Sequence, residues 1–338
     1  MLDSILEAVM QSGKALIIVA LLAPMVANGA EKKKKDEPIV HLTDEQIYEE
    51  LKARGLIAQV TDEEEIRDLI NGGGADKVMV SVLTGEAEIG LAGPEAAIYV
   101  LNEGKENHSV IFAQLTKRDG SFLVGREDKE FTWEMLRGST IIGGRKGGVP
   151  EMTLEYVLKQ NGLVPGKDVT IDTSIDFNLM AGAFTSGTGD YVTLFEPTAV
   201  SVEEEGQGYV LTSIGQESGE IPYTAYFASK EYIAENEDII EKFTRAIAKG
   251  QLWVQDHTAL EIAELMLPYF ADSELAVLEQ VAARYKEIDA WNLDPVMKKE
   301  ALDRLQDVME EAGELEKRVD FETLVDNSFA EKVIKDLK

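Results

Sequence analysis

The residues best arranged for chemistry are Gly143-Gly144-Arg145-Lys146-Gly147-Gly148, set between the apolar run Thr140 to Gly144 and a helix-like stretch, Glu151 to Gln160. In that setting backbone N–H groups near Gly147 and Gly148 face an oxyanion at the helix start. Arg145 and Lys146 add charge there, and the glycines of Gly144 to Gly147 allow close approach. The same six residues also read as a flexible turn with two solvated cations. Neither GxxxxGK[ST] nor GxGxxG occurs, so nucleotide hydrolysis and dinucleotide binding have no motif here.

Gly93-Pro94-Glu95 comes just after the strand-like Ile89 to Ala92, and open α/β sheets bind ligands beyond the carboxyl ends of their strands. Proline fixes that turn; Glu95 either accepts hydrogen bonds from a ligand amine, pairs across a cleft, or caps the next helix. Asn71 to Gly74, followed by Asp76 and Lys77, is a backbone-lined turn before a helix, with Gly73 and Gly74 as candidates, or else a plain surface loop. Glu196 ends the strand-like Tyr191 to Phe195 and is a better ligand candidate than Asp190 at its start. Tyr191, Phe195, Tyr223 and Tyr226 suit core or hinge packing as well as stacking on a ligand.

Other chemistries are thinly supplied. The chain has no cysteine, which removes disulfides, thiol catalysis, sulfur-ligated zinc and iron–sulfur centres together. His41, His108 and His257 lie far apart and form no HExxH pattern, so no metal ligand is assigned. Distant acids can always be paired on paper in a chain with 63 of them, so no catalytic dyad is assigned either.

The elements that position these residues follow from periodicity and punctuation. Helices are expected at Thr43 to Leu56, Thr61 to Ile70, Ala75 to about Gly85 and Ala96 to Asn102. Ser109 to Thr116 and Ser121 to Gly125 are strand-like, separated by Arg118-Asp119-Gly120. Thr140 to Gly144, Val169 to Thr173, Tyr191 to Phe195 and Tyr209 to Thr212 then alternate with helices at Glu151 to Gln160, Leu179 to Thr185 and Thr198 to Glu205. Repeats of strand, loop and helix argue for an α/β fold with a parallel or mixed sheet covered on both faces. After a strand at Tyr223 to Ala228 the pattern becomes almost wholly helical, in runs at 239–255, 259–266, 274–287, 295–311 and 321–337.

That change of pattern divides the chain into two lobes. Lobe one takes residues 38–116 and 225–338, and lobe two takes 117–224, with crossings at Leu115 to Ser121 and Gly219 to Tyr226. Two crossings make a hinge, and hinge closure is a common response to a ligand in a cleft. Residues 1–37 stand apart as an export signal or anchor plus linker. Ala15 to Ala27 is an apolar run of thirteen, near the length of a signal core, although Asp3 and Glu7 precede it and Lys32 to Lys35 follow. An uncleaved anchor or a packed terminal helix fits the run as well.

Charge narrows the partners. Against 63 acidic side chains there are 33 basic ones, a formal net charge of −30, so the average surface repels nucleic acid and anionic membranes. A small cleft can still be positive inside a negative protein.

The segments NGGGADKVMVSVLTGEAEIGLAGPEAAIYV, IIGGRKGGVPEMTLEYVLKQNGL and GDYVTLFEPTA, with the later YKEIDAW and MEEAGEL, resemble one family in order and spacing from about Asn71 to Phe329. It is the nitrate/sulfonate/taurine and thiamine-precursor-like group of substrate-binding proteins of bacterial ABC importers. The resemblance implies a two-lobed type 2 periplasmic-binding-protein fold with an interdomain cleft and a helical C-terminal region. It also implies a non-catalytic, exported, monomeric protein, with no cofactor, that delivers a small organic ion or heterocycle to a membrane ABC permease. The family's ligand loops correspond to Gly73 and Gly74, Gly93 through Glu95, Gly144 through Gly147, and Phe195-Glu196. This chain departs from the pattern at residues 39–70, acidic and helical with only Tyr48 as an aromatic, and it lacks the cysteine of a lipoprotein anchor. A related enzymatic branch makes the thiamine pyrimidine with a cysteine-rich motif and a reactive histidine; the missing cysteines count against it. A diverged interaction protein without a ligand is the remaining alternative.

Overall fold

The computed structural model describes residues 74–270 and 273–338. The apolar run 15–27, the linker 32–37, the expected helices within 43–70, His41 and Gly73 lie outside the described residues.

The chain builds a first sheet, leaves it for a second, and returns. It runs through α1 (Ala75–Thr84), β1 (Ile89–Ala92), α2 (Glu95–Asn102) and β2 (Ser109–Thr116). The second set is β3 (Ser121–Gly125), β4 (Thr140–Ile142), α3 (Val149–Gln160), β5 (Thr170–Asp172), α4 (Phe177–Thr185), β6 (Tyr191–Phe195), α5 (Thr198–Glu204), β7 (Tyr209–Ser213) and α6 (Ile214–Ser218). On its return the chain forms β8 (Thr224–Ser229), α7 (Lys230–Glu235), α8 (Glu237–Asp256), α9 (Ala259–Met266), α10 (Leu275–Glu287), α11 (Lys299–Glu311), α12 (Phe321–Leu324) and α13 (Ser328–Leu337).

The first sheet has the order β1-β8-β2, with β8 antiparallel to both neighbours. The second has the order β5-β4-β6-β3-β7 and is mixed: β4 is parallel to β5 and β6, whereas β3 is antiparallel to β6 and β7. Parallel pairing follows from the helix α3 between β4 and β5, because a parallel neighbour requires a crossover of that kind. Strand β3 is buried along its whole length, which its apolar sequence Ser-Phe-Leu-Val-Gly permits.

Register matters most at one edge of the first sheet. Ala92 at the end of β1 pairs with Ala225, and Thr116 at the end of β2 pairs with Thr224. The carboxyl ends of β1 and β2 therefore emerge on the two sides of Tyr223, the residue that leads into the middle strand. Across from them, Phe195 at the end of β6 pairs with Ser121 at the start of β3.

The later helices brace this arrangement. In α8 the buried residues Ile240, Thr244, Ile247, Gln251 and Val254 recur every three or four positions on one face, and Glu237 and Asp238 complement the helix N-terminus. Thr258 and Glu261 form a capping box that starts α9, worth about 1 kcal/mol. One apolar cluster joins the two sheets, with Val149, Met152 and Phe195 packed alongside Ala96, Ile98, Tyr223 and Phe227.

Some boundaries move for identifiable reasons. The helix expected over 321–337 is broken, because Val325 is extended and bridges Ile111 while the Asp326 N–H reaches the Ile111 carbonyl at 2.8 Å. The helix expected from Pro295 starts at Lys299, after Gln114 N–H has engaged the Pro295 carbonyl. Strand β4 stops at Ile142 because Gly144 adopts φ 81. Short helices α6 and α7, each begun by a serine whose hydroxyl accepts from a backbone N–H, are additional to the expected set.

Candidate ligand-binding seam

Lobe one contributes the loop after β1. Pro94 opens α2 with a helical φ of −63, and Glu95 occupies the first turn. The Glu95 side chain folds back over Gly93 so closely that a Cβ at Gly93 would lie 2.0 Å from Oε2. Glycine at 93 is thus a steric requirement of where Glu95 points. Only 2 % of Glu95 is exposed, and its Oε2 has no hydrogen-bond partner among the described residues. Burial pushes its carboxyl up to about 7, although backbone N–H groups of Glu95 itself, Ala96 and Val149 and the positive Arg145 favour the charged form.

The second acid stands on the other side of Tyr223. Asp119 follows β2 and is 1 % exposed. One of its oxygens accepts from the Ser121 N–H at 2.7 Å and from the Ser121 hydroxyl, while Oδ2 is unpartnered among the described residues. Burial raises this carboxyl to about 6, opposed only by those Ser121 bonds. Lys117 and Arg118 next to it turn toward Asp289, at 2.7 and 3.9 Å. Burial, reinforced by the fields of Asp119, Tyr285 and Glu95, drives the Tyr223 hydroxyl well above the usual phenol range.

An aromatic wall completes the seam from lobe two. Phe195 stacks on Tyr223 with centroids 6.0 Å apart, and Phe177 at the start of α4 tilts against Phe195 at 5.9 Å. Gly144 is pressed against the Phe177 ring, 2.8 Å from where its Cβ would stand.

The glycine loop meets lobe one directly. Tyr99 donates its hydroxyl to the Gly147 carbonyl at 3.0 Å, and the Gly147 N–H donates to Glu151 Oε2 at 3.2 Å. Burial, with the neighbouring Glu155, raises Glu151 to about 7. Arg145 and Lys146 are exposed and face acids of lobe one, Asp76 at 3.9 Å and Glu314 at 3.5 Å. Gly74, with φ 153, begins α1 beside Asp76.

The structure therefore gathers Gly93, Pro94, Glu95, Arg145, Lys146 and Gly147 across one interface, with Gly144 behind the Phe177 ring. Glu196 takes a different part. Its Oε1 accepts from Arg284 at 2.7 Å and its Oε2 from the Val200 N–H at 2.9 Å, so both carboxylate oxygens are occupied within the protein. Arg284 continues to Glu203, tying β6 and α5 to α10. Asp190 accepts from the Thr140 N–H at 2.8 Å and joins strands, as a residue at the start of β6 should. His257 stacks on Trp253 and bonds the Trp253 carbonyl, and His108 lies 3.3 Å from the Thr323 carbonyl. Among the described residues no group of acids and histidines is arranged to hold a metal ion.

Asp119, Tyr99 and Phe177 are not singled out by sequence reasoning. The rule that draws attention to Glu95, a polar side chain just past a strand's carboxyl end, applies equally to Asp119 after β2. Tyr99 carries no local signal, because its partner is 48 positions away.

A mixed α/β architecture of two sheets with a helical C-terminal region defines the class: this is a periplasmic-binding-protein fold. The chain belongs to the NMT1/THI5-like family, whose model matches residues 66–259. YtlA of Bacillus subtilis (strain 168), described as a "putative binding protein", is 44% identical over 261 residues, 77% of this chain and 78% of YtlA. The periplasmic aliphatic sulphonate binding protein SsuA from Escherichia coli superposes with a TM-score of 0.60 at 18% identity, covering 74% of this chain and 84% of SsuA. A mutant of DszB in complex with biphenyl-2-sulfinic acid gives 0.56 at 13% identity, covering 76% and 88%. DszB is a desulfurization enzyme, so the fold hosts both binding and catalysis.

Proposed function

We propose that this protein is the solute-binding component of an ABC importer, capturing a small organic ion or heterocycle between its lobes and presenting it to a membrane permease. The observation that carries this reading is the convergence of strand ends at one seam, with Glu95 and Tyr99 from lobe one against the Arg145–Val149 loop from lobe two. The likeness to YtlA, which covers most of both chains, supports it. Among the described residues, segments 117–120 and 219–223 connect the strands of the two sheets, while α9 and α10 of the returning chain pack on the second sheet, so a hinge about these segments would carry those helices with it. At the seam itself the polar contacts of the glycine loop with the first sheet's side, the Tyr99 hydroxyl and the exposed Arg145 and Lys146 pairs, are individually weak. Opening at this seam would admit a ligand.

Native mass spectrometry of the full chain against a small-metabolite library, with small-angle scattering of free and loaded protein, tests the reading. The expected result is one ligand per chain, recovered chemically unchanged, with compaction on binding. Recovery of a converted compound would replace binding by catalysis, and no captured compound would overturn the reading.

A further inference from the structure

Resting on the solute-binding reading above, we propose that the seam selects an organic cation, a protonated amine or amidinium carried on a flat apolar body, which Glu95 and Asp119 hold from the two sides of Tyr223. The geometry begins with strand register. Pairing of Ala92 with Ala225 and of Thr116 with Thr224 brings the loops bearing Glu95 and Asp119 to flank the same residue. Each side chain is more than nine-tenths buried, and each leaves one carboxylate oxygen without a partner among the described residues. A buried polar atom without a partner is expensive, and a buried carboxylate more so. An N–H donor carrying positive charge answers such an oxygen, and a ligand long enough to span Tyr223 answers both.

The surrounding charges agree. Cations near the seam are already directed elsewhere: Lys117 and Arg118 toward Asp289, Arg284 toward Glu196 and Glu203, and Arg145 and Lys146 on the exposed rim toward Asp76 and Glu314. Arg118 keeps a buried Nε without a partner among the described residues, but no cation acts on the Asp119 carboxyl and the exposed Arg145 is the one that acts on Glu95, so an anion placed between the two acids would meet their charge first. Tyr223, which lies in the field of both acids, is backed by Phe195 and Phe177, and aromatic faces attract cations as well as flat rings. Glu151, a further buried acid, accepts from the Gly147 N–H in the glycine loop and adds negative potential.

Calorimetric titration of the full chain with benzamidine, agmatine, methanesulfonate and taurine at pH 8 tests the proposal. Benzamidine or agmatine should bind saturably, and Glu95→Gln and Asp119→Asn should each weaken it tenfold or more while thermal melting shows a folded protein. Between pH 6 and 7 binding should release protons, read as a dependence of the heat on buffer ionisation, because the cation draws both acids to their charged forms. Saturable methanesulfonate binding unaffected by the two substitutions would overturn the cation class and leave solute binding standing. Cation binding unaffected by them would overturn the roles of Glu95 and Asp119. If folded protein bound none of the probes, the cation proposal would fall, and only the metabolite library would then decide the broader reading.

Discussion

Glu95 and Glu196 make an instructive pair. Both are buried glutamates beside a proline, both sit one residue past the end of a strand or at the turn that follows it, and both have carboxyls raised by burial. They differ in their partners. Glu196 is met by Arg284 and by the Val200 N–H, and it locks β6 to α10 in the second sheet's core. Glu95 is left with a buried oxygen that has no partner among the described residues, at the interface between lobes. A buried acid with every lone pair answered holds a fold together, whereas one with an unanswered oxygen at a movable seam is poised for something that arrives later.

The contrast is broken most forcefully on the Glu196 side. Arg284→Ala leaves Glu196 buried without its cation and removes the link to Glu203, and breaking a buried pair from one side costs about 3–5 kcal/mol. Urea unfolding of Arg284→Ala at pH 7 should show a loss of that order. A change under about 1 kcal/mol, the range of an exposed pair, would mean that Arg284 and Glu196 are not a strut.

Glu95→Gln should act in the opposite direction. The folded Glu95 carboxyl titrates at about 7 against an ordinary value of 4.5, so the folded chain holds more protons in that interval. Its contribution to stability is complete below about 4.5 and is lost as pH rises through 7. Removing the charge should therefore stabilise the unliganded protein by about 1–3 kcal/mol at pH 8 and leave it almost unchanged at pH 4. Urea midpoints of both proteins at those two pH values give the difference directly. An equal effect at both would exclude an ionising carboxyl as the cause.

The sequence makes the elements legible more readily than it does this contrast. Short strands such as Ile89–Ala92 and Tyr191–Phe195 are bounded by Gly, Pro or Asp, and amphipathic α8 announces itself by its period. The break at Val325 is hidden because its cause, a bridge to Ile111, is a contact between residues more than 200 positions apart. Glu95 and Glu196 look alike for the same reason. Arg284 lies 88 positions from Glu196 on a helix whose pattern gives no hint of a buried partner. Asp119 looks like an ordinary turn residue, since nothing beside it in the chain reveals that it is buried near Tyr223 and Tyr285, more than 100 positions away.

A smaller effect is expected at the lobe-two wall. Gly144→Ala must place a Cβ at φ 81 and against the Phe177 ring, a cost of about 1–2 kcal/mol. Because Phe177 leans on Phe195, the same change should also disturb the aromatic face. Near-ultraviolet circular dichroism together with urea unfolding would register both, and an unchanged aromatic signal would separate the loop from the wall.

The smallest expected effect is at the rim, and it discriminates between the two charge assignments for the seam. Arg145 is exposed, and its guanidinium lies 3.9 Å from Asp76, a pair worth at most about 1 kcal/mol. Arg145→Ala should therefore leave stability within that range. If the glycine loop receives an anion, the substitution should weaken that ligand by about 1–3 kcal/mol through loss of a charge-assisted bond. If Glu95 and Asp119 receive a cation, removing a nearby positive charge should leave its affinity unchanged or slightly tighter, because Arg145 acts on Glu95 through its field. The sign of that change in calorimetry assigns the ligand's charge to one side of the seam or the other.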